Sequence, residues 1–95
     1  MSQALSLAEM QWRRAADAHD HACIERGERA HDALDALMRA AGANPLNDVD
    51  PTVRELVTQW LEAAAAASGA YSKRWHAFHA YKEAMAANTE NMAAL

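Results

Sequence analysis

The chain is expected to be all-α: two long helices, over residues 3–41 and 51–87, folded back on each other as an antiparallel hairpin that completes a four-helix bundle by dimerisation or partner binding. Three observations carry this. Val53, Val57, Trp60, Ala64, Ala67, Tyr71, Trp75, Phe78 and Met85 recur at steps of three and four, with Leu56 and Tyr81 beside them, which keeps one apolar stripe on a helix. A second stripe of similar length runs through the first half. Only three Gly and two Pro interrupt the sequence, and no stretch alternates apolar and polar residues as a half-buried strand would.

The first helix begins near Ser2 or Ser6, either of which can cap exposed N–H groups; from Ser6, Glu9 lies at the spacing of a capping box. Its stripe reads Leu5, Trp12, Ala16, His19, Cys23, Gly27, Ala30, Leu34, Leu37 and Ala41. Charges of both signs populate the other face, and Glu25 and Arg29 stand at i, i+4 in the better orientation, worth a few tenths of a kcal/mol. Gly42 is placed to end the helix as its C′ residue, after Arg39 at the negative end of the dipole.

A loop over 42–50 follows, with Asn44-Pro45 and Asp50-Pro51 as its signals; Asp50 is the expected N-cap and Pro51 the first helical residue, where its missing N–H costs nothing. At about 1.5 Å per residue the second helix is a rod of roughly 55 Å. Ser68-Gly69 is its weak point, since an interior glycine costs about 1 kcal/mol relative to alanine. Residues 88–95 are expected to fray, because Asn88, Thr89 and Asn91 are poor helix formers.

A connection of this length makes an antiparallel hairpin in which facing residues have numbers summing to about 92. Leu34, Leu37, Met38 and Ala41 then meet Val53, Leu56, Val57 and Trp60 beside the loop, and Leu5, Trp12 and Ala16 meet Trp75, Phe78, Tyr81 and Met85 at the open end. Between them Cys23, Gly27 and Ala30 oppose the run Ala63 to Ala67, a waist of small residues that either closes or leaves a groove for a partner's side chains. The competing arrangement is a three-helix monomer with Gly27 or Gly69 as its corner.

Composition narrows the function. The chain of 95 residues reads as a single domain over 1–95, and mean hydropathy is only −0.35 although 52% of residues are hydrophobic, because alanine dominates that fraction. A net charge of −4 weighs against nucleic-acid binding, which needs clustered Lys and Arg. Cys23 is the only cysteine, so an intrachain disulfide is ruled out. The start lacks the basic, then apolar, pattern of a signal peptide, and no run of apolar residues is long enough to span a bilayer. A cytoplasmic protein is the expectation, with signal-less secretion as the alternative.

The candidate chemistry is sparse. His19, Cys23, His76 and His79, with Asp17 or Asp20, are donor types that zinc or another transition metal accepts. No H-E-x-x-H or paired E-x-x-H pattern is present, however, and His19 and His21 point to different faces, so packed or hydrated histidines and no cofactor are expected. Cys23 on an apolar seam is an inert thiol rather than a nucleophile. Lys73, Arg74 and Lys82, interleaved with Trp75, Phe78 and Tyr81, form a locally basic segment; it is too short for a phosphate footprint and is read as a face that Asp17 and Asp20 neutralise.

In outline the chain resembles the small helical hairpins of bacterial secretion systems. It is similar to the WXG-type secreted proteins in length, alanine content and two-helix layout, but has no Trp-x-Gly at its turn, and Tyr81 is followed four residues later by Met85 instead of an acid. Asn44-Pro45 and Asp50-Pro51 are similar to the turn of type III needle subunits, without the apolar C-terminal helix end that those use in polymers. Small secretion chaperones and phage-type inhibitory proteins share the outline. The resemblance implies a secretion-related subunit or inhibitor as the alternative to the main expectation.

That expectation is a non-enzymatic interaction and assembly module. A two-helix hairpin has almost no interior, and its aromatic residues exceed what one facing helix covers. Trp12, Trp60, Tyr71, Trp75, Phe78 and Tyr81 are the expected interface anchors, toward a second copy or another helical protein.

Overall fold

The computed structural model describes residues 3–43 and 51–94, with side chains for 3–42 and 51–90. They form two helices, α1 (Gln3–Ala43) and α2 (Pro51–Ala94), and no strand occurs among the described residues. The helices pack against each other and run antiparallel: Trp12 of α1 meets Tyr81 of α2, and further along α1 Asp20 meets Arg74. No helix of the described residues is long and apolar enough to cross a membrane.

Several boundaries differ from expectation. Gly42 does not stop α1; no described glycine has positive φ, so Gly42 continues the helix to Ala43 instead of adopting the left-handed cap. Ser6 lies inside α1, which begins at Gln3, so it is not the N-cap. At the other end α2 runs past Ala87 to Ala94, correcting the frayed tail over 88–94. Asn88 is half-buried there, and the Thr89 hydroxyl donates to the Met85 carbonyl at 3.0 Å, a bond that suits a helical backbone. Both helices pass unbroken through Gly27 and Gly69, which removes the three-helix arrangement. The loop over 44–50, its Asp50 cap and Ser2 lie outside the described residues.

The buried face matches the expected stripes in part: Leu5, Trp12, Ala16, His19, Cys23, Ala30 and Leu37 on α1 and Val53, Leu56, Val57, Trp60, Ala64, Ala67 and Tyr81 on α2 are buried or half-buried, whereas Gly27, Leu34, Ala41, Tyr71, Trp75, Phe78 and Met85 are exposed. The hairpin comprises two compact units, a terminal unit (Met1–Asp20 with Gly69–Leu95) and a loop-side unit (His21–Ser68). In the terminal unit the buried and half-buried residues include Leu5, Ala8, Trp12, Ala15 and His19 on α1, and Ala70, Arg74, Ala77, Tyr81, Ala84 and Asn88 on α2. In the loop-side unit they include Ala22, Ala33, Ala36 and Ala40 on α1, and Val53, Leu56, Trp60, Ala63 and Ala67 on α2. Ala33 and Ala67 are the most enclosed, at 0% and 1% exposure.

Apart from the gap between Ala22 and Ala33, each set steps by three and four, the spacing of a coiled-coil seam. Alanine recurs at one seam position: Ala8, Ala15, Ala22 and Ala36 on α1, where Arg29 interrupts the series, and Ala63, Ala70, Ala77 and Ala84 on α2. A methyl group lets two helix axes come near the lower end of the usual 8–10 Å range, and a larger residue between them would hold them apart. So the alanines turn inward. Leu34 and Ala41, expected in the seam, are exposed, as are Met38 and Gly27. At the waist, Ala67 is closed to solvent, while Ala63 and Ala66 line a hollow together with Glu25, Arg29, Gln59 and Glu62. Polar side chains of the hairpin itself border the waist on that edge.

Candidate functional site

The aromatic residues of the terminal unit stand at the edge of its alanine seam. Tyr71, Phe78 and Met85 each follow a seam alanine, Ala70, Ala77 and Ala84, and so recur every seventh residue along one flank of α2. They are too wide to lie between closely packed axes, and all three remain exposed, Tyr71 at 57%. Trp75 stands beside them, also exposed.

From α1, Trp12 reaches this flank. Its indole stacks on Tyr81, with centroids 5.1 Å apart and an interplanar angle of 13°, and tilts over Phe78 at 5.4 Å and 47°. Such pairs contribute about 0.5–1.5 kcal/mol each beyond the area they bury. The Lys82 ammonium lies 5.6 Å from the centre of the Phe78 ring, within cation–π reach. Trp75 is steadied by its own helix, with His79 at 3.9 Å and His76 at 5.1 Å between centroids.

Trp12, Tyr71, Trp75, Phe78 and Arg74 together line an open cleft of about 260 Å³. Sites that enclose small organic ligands run from about 300 to 1,000 Å³ and cover most of the ligand. This cleft has room for one or two side chains of a partner. Its one charged lining residue is already engaged. Arg74 Nη1 donates to His19 Nδ1 and to Asp20 Oδ1, both at 3.2 Å. A guanidinium has no acceptor, so Nδ1 of His19 must accept and the ring proton sits on Nε2. The same imidazole meets the Tyr71 ring edge-on at 5.5 Å. Arg74 therefore ties the two helices together under the rings.

The structure thus brings Trp12, Tyr71, Trp75, Phe78 and Tyr81 to one region, while Trp60 lies half-buried in the loop-side unit. The four histidine and cysteine candidates for metal binding go to different neighbours. His19 packs on Tyr71 and Arg74, His76 and His79 pack on Trp75, and Cys23 belongs to the loop-side unit. Among the described residues no group of three or more His, Cys, Asp or Glu is arranged to hold a metal ion. Of the basic segment, Arg74 is neutralised by Asp20 and Lys82 covers Phe78, while Lys73 is exposed.

Sequence reasoning missed Arg74 as a seam residue. The signal was present: Arg74 sits between Ala70 and Ala77 at the heptad position shared by Ala67 and Tyr81, which a count by sevens would have found. No family model, no curated protein and no solved structure matches this chain.

Proposed function

We propose that this protein is a non-enzymatic assembly module that associates with a second copy of itself through the aromatic flank of its terminal unit. The observation that carries the reading is that Tyr71, Trp75, Phe78 and Met85 stay exposed on one flank beside the alanine seam, even with Trp12, His19, His76 and His79 packed against the three rings. Exposed apolar patches rimmed by polar groups mark association sites, and aromatic anchors supply most of the energy of an interface.

Two further facts support it. Leu7 and Met10 of the same unit are exposed as well, at 51% and 43%, so the unit has further apolar surface to bury on association. The terminal unit also holds five Lys and Arg against five Asp and Glu, so two copies meet there without net repulsion. Arg74, the only charged group lining the cleft, is committed to Asp20 and His19, which suits a positioning role better than substrate chemistry.

The test is the mass of the full chain in solution. Light scattering at tens of micromolar is expected to give about twice 10.4 kDa, and Trp75→Ala to return the chain to 10.4 kDa with helicity retained. Losing one anchor weakens association by about thirtyfold or more, the equivalent of a 2 kcal/mol contribution. A wild-type chain that stays monomeric at these concentrations would sink the proposal.

A further inference from the structure

The loop-side unit carries a second apolar face, on the side of α1 turned away from the alanine seam. Ile24, Gly27, His31, Leu34, Met38 and Ala41 follow one another at steps of three, four, three, four and three. At 100° per residue they fall within an arc of about 100°, centred well over a quarter-turn from Ala33. All six are exposed, Ile24 at 62% and Met38 at 74%. On the terminal side of the same face the corresponding positions hold Arg13, Asp17 and Asp20. The face therefore changes from charged to apolar at Ile24. An outward position of a hairpin needs no leucine or methionine for folding, and a 3-4 spacing is what a neighbouring helix reads as a seam.

We infer that this face docks an amphipathic helix of another protein, one whose apolar stripe is bordered by Lys and Arg. The span from Ile24 to Ala41 matches about 27 Å of partner helix, or five turns. Charge decides the partner's chemistry. Among the described residues of the loop-side unit six Asp and Glu stand against four Arg, an excess of two negative charges. Glu28 and Asp35 border the stripe directly, with Asp32 behind them, and Arg39 already pairs with Asp35. Two copies of this face would bring like charges together, whereas a basic helix would be drawn in. Met38 and Leu34 offer an adaptable apolar surface of the kind that accepts such helices.

The experiment titrates the full-length chain with labelled helical peptides of about 20 residues, read by fluorescence anisotropy. A Leu/Lys peptide with 3-4 spaced leucines is expected to bind. A Leu/Glu peptide with the same apolar face, and a Leu/Lys peptide scrambled to remove the spacing, are expected not to. Binding should weaken by about tenfold between 50 and 500 mM salt. Ile24→Gln and Met38→Gln, which leave the charge unchanged, should each weaken it by about tenfold with the circular dichroism of the free chain preserved. Glu28→Gln should weaken it to a smaller extent, and Trp75→Ala should leave it intact, separating this face from the aromatic flank. Equal binding of the Lys and Glu peptides, binding that survives both glutamine variants, or a fall in the free chain's mass on Met38→Gln, which would make a second copy the occupant, would each overturn the inference.

Discussion

Replacing Trp12 with alanine removes the stack on Tyr81 and the contact with Phe78 in one step. Because Trp12 is half-buried rather than enclosed, the expected loss is about 2–3 kcal/mol, below the range for a fully buried tryptophan, and a urea titration followed by circular dichroism measures it. Asp20→Asn is expected to be far milder. The Arg74 to Asp20 pair is partly open to water, where such bridges contribute about 0–1 kcal/mol, so the same titration should move by less than about 1 kcal/mol and less still in high salt. Lys73→Ala should change neither stability nor association, since its side chain is exposed and outside the cleft. At this scale the sequence was informative: tryptophans and tyrosines announce themselves by size. What it could not give was the tie between Arg74, His19 and Asp20, because that pairing joins residues more than fifty positions apart.

At the scale of the helix, the alanine seam makes a prediction contrary to simple hydrophobicity. Ala33→Leu adds apolar surface at a position with no exposure at all, and the extra volume has to push the helices apart, so it should destabilise by about 1–3 kcal/mol in a urea titration. Gly69→Ala acts the other way. Beyond the local backbone of its own helix and its two chain neighbours, no atom lies within 4 Å of the methyl it would add, and its backbone is helical, so the substitution should stabilise by about 0.5–1 kcal/mol, read as a higher melting temperature. The existence and type of both helices were legible from the 3-4 spacing of apolar residues and the scarcity of Gly and Pro. Their ends were not. Gly42 and the Asn88 to Asn91 run look like terminators one residue at a time, yet alanine-rich neighbours on both sides carry the helix through them.

For the molecule as a whole, stability should depend on concentration. If folded copies associate through the aromatic flank, mass action favours the folded state, and the melting temperature is expected to rise as protein is raised from about 1 to 100 μM. The Trp75→Ala chain should melt at one temperature across that range, which differential scanning calorimetry on both proteins would decide. The Leu34 and Met38 face offers a second, independent valence, so one copy would join another copy by its neutral unit and a basic helix by its acidic one.

The amino-acid order alone determined two antiparallel helices, their approximate register and the crowd of aromatic residues near the chain ends, because periodicity and loop spacing are local properties that the backbone cannot evade. Which stripe faced inward was decided only by tertiary packing. The apolar stripe read from the sequence put Leu34 and Ala41 inside; the folded helices instead turn Ala33, Ala36 and Ala40 inward, because a methyl group lets two helices approach where a leucine would hold them apart. That choice leaves Leu34, Met38, Tyr71, Trp75 and Phe78 exposed, and with them the surfaces through which this protein is expected to act.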